Sequence, residues 1–107
     1  NKPVGLVVHA DGRTDEPNVA DWFVQHYPEG KGVGESITLT DGRVLERPGV
    51  VHRLDRHTSG VMLLARTENG FLFLKEQFQA RTVQKTYLAL VFGNFKETTG
   101  CIDKPNR

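Results

Sequence analysis

His52-Arg53-Leu54-Asp55-Arg56-His57-Thr58-Ser59-Gly60 runs directly into Val61-Met62-Leu63-Leu64-Ala65, setting a polar stretch on an apolar one. The apolar run has the length of a short strand and no alternation, which is the pattern of a strand buried on both faces. The polar run carries two arginines, two histidines and a carboxylate, too many charges to bury. A charged loop anchored on a core strand is a natural place for chemistry. Just upstream, Pro48-Gly49-Val50-Val51-His52 reads as another short strand leading into the loop.

Working outward, residues 83–92 form the longest expected strand. Val83, Lys85, Tyr87, Ala89 and Val91 share one face, and Gln84, Thr86, Leu88, Leu90 and Phe92 share the other. Between the two strands, Phe71, Leu74 and Phe78 recur at helical spacing and predict a helix over 69–79. Residues 37–46 predict an exposed hairpin, because Asp41-Gly42 supplies the positive φ angles of a tight turn between β-formers. Asn18 is the N-cap expected of a helix over 19–27, with Val19, Trp22, Phe23 and His26 along one side and Pro28 and Gly30 ending it. Trp22 and Phe23 read as core, and His9 and His26 as packing or surface residues. Gly5 to His9 reads as a short buried strand, and Gly93 to Arg107 as a polar stretch with no clear final element. Helices and strands mix without strict βαβ alternation. The expected fold is therefore α+β, a mixed, largely antiparallel sheet with two short helices.

The chain has 107 residues and a mass of 12.0 kDa, room for one modest core and no second domain. With 37% apolar and 25% charged residues it is neither a low-complexity disordered chain nor a membrane protein by composition. No apolar run approaches the roughly 20 residues that cross a bilayer. The opening residues lack the pattern of an export signal, and the single Cys101 cannot form an internal bridge. A cytoplasmic location and no membrane partner are expected. The net charge of +1 hides an asymmetry: residues 1–42 hold 3 basic and 7 acidic side chains, and residues 43–107 hold 11 and 6. A basic half suits a polyanionic partner, since Lys and Arg displace counterions from phosphates. A solvated, mixed surface accounts for the same charges.

Asp55 sits between Arg53 and Arg56, and nearby cations favour its carboxylate form. A firmly held carboxylate serves as nucleophile or base, and the same arginines attract phosphates. The plainer alternative is a surface Asp paired with its neighbours. His52, Asp55 and His57 also offer metal ligands, but their spacing puts them on no single helix face and the arginines repel a divalent cation. Thr58-Ser59-Gly60 lacks the first glycine of a hydrolase nucleophile elbow. Tyr87, in mid-strand beside Lys85, is ordinarily a good strand former. Facing the Asp55 loop, it would offer a stacking platform for a nucleobase.

His52-Arg53-Leu54-Asp55-x-x-Thr58-Ser59-Gly60 closely resembles the signature of the RluA-type RNA pseudouridine synthases. Asn1-Lys2-Pro3-x-Gly5-Leu6-x-Val8-His9 is similar to the opening motif of that family, and Lys85-x-Tyr87-x-Ala89-x-Val91-x-Gly93 to its later strand. The resemblance spans essentially the whole chain. It implies an enzyme that isomerises chosen uridines of tRNA or rRNA to pseudouridine without cofactor or metal. An Asp attacks the target uridine, the bond to N1 breaks, and the base turns and rejoins through C5. By resemblance Asp55 is that nucleophile. Arg53 would fill the space the flipped base leaves and contact RNA, and Tyr87 would stack on the uracil and handle its C5 proton.

Family members also carry, beyond the Tyr strand, a Gly-Arg-x-His-Gln-Ile-Arg-like segment whose last arginine pairs with the catalytic Asp. These 107 residues lack it, start inside the first motif and include no S4-like RNA-binding module. The expectation is the N-terminal portion of a catalytic domain, residues 1–107, missing its C-terminal portion and inactive alone. The alternative is a non-catalytic RNA-binding fragment.

Overall fold

The computed structural model describes residues 1–105. Helix α1, Val19–His26, begins at Asn18, whose side-chain oxygen accepts from the Asp21 amide at 2.8 Å. The next amides of its first turn are satisfied from outside: Val19 and Ala20 donate to the carbonyls of Val7 and Val8 at 3.0 and 2.9 Å. Residues 5–9, expected as a strand, therefore act as an acceptor for a helix start and form only a single parallel bridge, Val7 to Asn18. A 3-10 turn, Pro28–Gly30, closes α1.

Strands β1, Ser36–Thr38, and β2, Val44–Glu46, form the exposed hairpin, paired antiparallel with Ile37 opposite Leu45. Its turn differs from the one expected. Gly42 donates to the Leu39 carbonyl at 3.0 Å and Leu39 to that of Arg43 at 2.8 Å, and only Gly42 of the Asp41-Gly42 pair has positive φ, at 88°. Thr40 and Asp41 thus occupy the corner and Gly42 takes the left-handed position after it, a longer loop than a two-residue turn.

Helix α2, Glu68–Gln79, follows, capped by Thr67, whose hydroxyl accepts from the Gly70 amide at 3.0 Å. Phe71 is buried and Leu74 and Phe78 are half-buried on one side, as their spacing requires. The Thr67→Ala variant is expected to lose about 1 kcal/mol, the usual worth of such a cap, measured as a shift in urea midpoint at unchanged slope.

The core is Val8, Val19, Ala20, Phe23, Leu54, Ala65 and Phe71. Phe23 sits at its centre, its ring close against Gly30 and Gly49, where any side chain would overlap it. Gly49 also needs its φ of 70° to present its carbonyl to the Ala65 amide at 2.8 Å. Trp22 corrects the expectation of burial: it is 48% exposed and stacks on His26, with centroids 4.6 Å apart. The buried stripe of α1 is Val19, Ala20 and Phe23, and Trp22 falls beside it.

Two antiparallel bridges, Val50 to Leu64 and Lys2 to Gly60, tie the rest together. The structure is α+β with two helices and a two-stranded antiparallel sheet. The run 61–65 is not buried on both faces: Ala65 is buried, but Val61 is 80% exposed and Leu63 is also exposed. Only the end of that run pairs with residues 49–50, and its other side walls a groove. Residues 83–92 are extended but have no strand partner among the described residues, and Leu88, Leu90 and Phe92 are fully exposed. The Cα radius of gyration, 16.4 Å, exceeds the roughly 13 Å of a compact chain this long, as an extended tail requires.

Candidate active site

The loop 52–60 is held from several sides. Lys2 is 3% exposed, and its ammonium donates to the carbonyls of Pro3, Leu6 and Arg56 at 2.9, 2.7 and 3.1 Å. The Arg56 carbonyl also accepts the Gly5 amide at 2.7 Å, and Lys2 and Gly60 exchange both backbone bonds. Inside the loop, Thr58 donates to the Asp55 carbonyl at 3.0 Å, closing a turn that starts at Asp55. At its entry, the His52 Nε2 accepts the Leu63 amide at 2.9 Å while the imidazole stacks on Phe78, centroids 4.6 Å apart and planes 13° from parallel.

Accepting through Nε2 requires the neutral ring with its proton on Nδ1. Burial, then the charge of Lys85, holds the His52 pKa below its ordinary value of 6.5. Neutral His52 is the folded form, so the unfolded chain takes up more protons as the pH falls from 6.5 through the depressed pKa, and stability falls over that window. His52→Gln, which keeps an acceptor and cannot titrate, is expected to flatten this acid-side loss in melting curves recorded against pH.

Arg56 does not flank Asp55 as an ionic partner. Its guanidinium forks onto the Glu16 carboxylate at 2.5 and 3.3 Å, and that bond, followed by one from Thr14, holds the Glu16 carboxyl below its usual range. Asp55 is exposed and has no ion pair or side-chain hydrogen bond among the described residues. The alternative of a surface Asp paired with its neighbouring arginines is absent from this geometry.

Beside the loop lies a groove of about 890 Å³. Leu54 and His57, on either side of Asp55 in sequence, line it together with Val61, Phe78, Lys85 and Tyr87. Tyr87 is 61% exposed, and the Lys85 ammonium lies 5.8 Å from the centre of the Phe78 ring. The structure thus brings Tyr87 to the Asp55 loop. It does not bring Arg53 to that groove: Arg53 lines a separate, smaller pocket that shares only His52 with it. Among the described residues, no three His, Cys, Asp or Glu side chains gather as a metal site would need.

Lys2 and His52, which hold the loop, have no sign of that role in the local sequence pattern. A lysine preceding a proline carries no hydropathic sign of burial, and only its place in the opening motif marks it. His52, a candidate metal ligand by residue type, already uses its acceptor nitrogen on the Leu63 amide.

The arrangement sets an exposed carboxylate on a backbone-held loop whose residues Leu54, His57 and Thr58, though not Asp55 itself, line a groove together with Tyr87 and Lys85, a geometry open to a planar anionic substrate such as a nucleotide. Comparison with known proteins makes this specific. The model of the family described as RNA pseudouridylate synthase matches residues 1–107, and the chain belongs to that family, a family of isomerases. The chain is 35% identical over 105 residues to an uncharacterised RNA pseudouridine synthase of Synechocystis, covering 98% of this chain and 29% of the relative. It is 41% identical over 105 residues to another from Chloroflexus aurantiacus, covering 98% and 30%. It is 34% identical over 113 residues to ribosomal large subunit pseudouridine synthase D of Borreliella burgdorferi, covering 100% and 32%. The chain therefore spans about 30% of the length of these curated relatives. No solved structure matches it. The family resemblance drawn from the three motifs is borne out.

Proposed function

We propose that this chain carries the nucleophile and the aromatic wall of an RNA pseudouridine synthase acting in the cytoplasm, with Asp55 as the attacking carboxylate. The observation that supports it best is Asp55 exposed and unpaired on a loop whose backbone is fixed by Lys2, Gly5 and Gly60. A nucleophile held by its backbone, with its oxygens free, is poised to react.

In this reading the target uridine leaves its stack, at a cost of a few kcal/mol, and enters the groove. Tyr87 supplies the face on which the base stacks, and Arg53 contacts the RNA backbone or the vacated position. Asp55 attacks C1′ of the uridine, the bond between C1′ and N1 breaks and frees the uracil as an anion, and the base turns so that C5 bonds to C1′ as the bond between Asp55 and C1′ breaks. The proton on C5 then passes to solvent, with Tyr87 beside it, N1 takes up a proton from solvent, and Asp55 is regenerated as the carboxylate. No external oxidant, reductant or cofactor enters this balance. The substrate is tRNA or ribosomal RNA, the second suggested by the relative named for the large ribosomal subunit.

The test is tritium release from RNA labelled at uridine C5. The full-length protein that carries this segment is expected to release one tritium per pseudouridine formed, and the 107 residues alone to release none above background. Steep, salt-dependent RNA binding with no release by the full-length protein would instead support an RNA-binding role without chemistry.

A further inference from the structure

A second pocket, of about 220 Å³, shares His52 with the groove and has Arg47, Arg53, Lys75 and Glu35 as its charged lining. Three cations face one carboxylate. Glu35 is shared between two of the cations, reaching the Arg47 guanidinium at 3.8 Å and the Lys75 ammonium. Arg53 has no ion pair among the described residues and is exposed. The Arg47 Nε is buried and without a hydrogen-bond partner among the described residues, and it is a terminal guanidinium nitrogen of Arg47 that reaches Glu35.

We propose that this pocket binds a backbone phosphate of the substrate RNA, one or more nucleotides away from the uridine in the groove. The proposal deepens the reading of the chain as a pseudouridine synthase and rests on it for the identity of the polyanion. Its net charge of +2 suits a phosphodiester, and the fork of a guanidinium matches two phosphate oxygens. Position supports the same conclusion. His52 lines both this pocket and the groove, so a strand seated on Arg53 crosses one residue before reaching the walls formed by Leu54 and His57. Glu35 then acts as the resident anion that the phosphate displaces from Lys75 and Arg47.

The experiment is binding of a single-stranded uridine-containing RNA at several salt concentrations. It uses the full-length protein carrying Asp55→Asn, so that no turnover is needed and failure of the catalytic reading leaves the measurement intact. Lys75→Gln is expected to weaken binding severalfold irrespective of sequence and to reduce the slope of log K against log salt by about 0.7, one single-strand phosphate contact. Glu35→Gln, which removes the competing carboxylate, is expected to tighten binding. Both side chains lie at the surface of the pocket, and matching melting temperatures confirm that the variants fold. An unchanged slope with both variants folded overturns the proposal. So does inorganic phosphate stabilising the protein through Lys75 while the RNA slope stays put, which makes the pocket a site for a small anion.

Discussion

Asp55→Asn is expected to reduce tritium release from C5-labelled RNA by about 10⁴-fold or more, the scale seen when a covalent nucleophile is removed. The melting temperature should hardly move. The side chain is exposed and bonds to nothing among the described residues, so its replacement falls among surface changes worth within about 0.5 kcal/mol. The backbone turn at this position is made by the Asp55 carbonyl, which asparagine keeps. Binding of RNA should also survive, because the steering charges are elsewhere. Activity within tenfold of the unaltered protein would remove Asp55 from the role of nucleophile, and a large drop in melting temperature would show that its carboxylate supports the loop.

The second large effect is expected at Lys2. Lys2→Met preserves most of the stem's volume and deletes the ammonium that three carbonyls share. Hydrogen bonds to a charged group are worth about 1.5–3 kcal/mol each, and buried carbonyls left without a donor add their own cost. The three bonds converge on one ammonium and do not add in full, so the expected loss is about 3–5 kcal/mol, that of removing one partner of a buried charged contact and a large part of the 5–15 kcal/mol of a typical domain. Denaturant unfolding measures it. Activity should fall as well under conditions where the variant remains folded, since the Arg56 carbonyl next to Asp55 loses one of its two donors. A loss below about 1 kcal/mol would show that water replaces the ammonium freely.

Both helices were legible in the sequence, and for a shared reason. A helix contains its own hydrogen-bond partners, so apolar spacing and a capping residue such as Asn18 or Thr67 suffice to place it. The hairpin was legible because its partners are adjacent, although the chemistry of its turn was misjudged by one position. The runs 61–65 and 83–92 were not, since a strand's partners lie at distances along the chain that composition does not encode. Their apolar side chains form walls of a groove and an uncovered surface in place of a core. At the site, the motif itself marked the loop, Asp55 and Tyr87. The pairing of Arg56 with Glu16, forty residues away, and the burial of Lys2 are tertiary facts with no local signature. The separation of Arg53 from the Tyr87 groove is another: alternate positions on a bent loop face different cavities, which spacing alone does not reveal.

The bare backbone of residues 83–92 has a practical corollary. A run of β-formers with no strand partner among the described residues is a template onto which any passing extended peptide can zip. Expressed by itself at high concentration, the segment should turn adhesive and form oligomers through that edge. A lysine in place of Leu88 or Leu90, both pointing wholly into solvent, is the simplest gatekeeper for keeping it in solution.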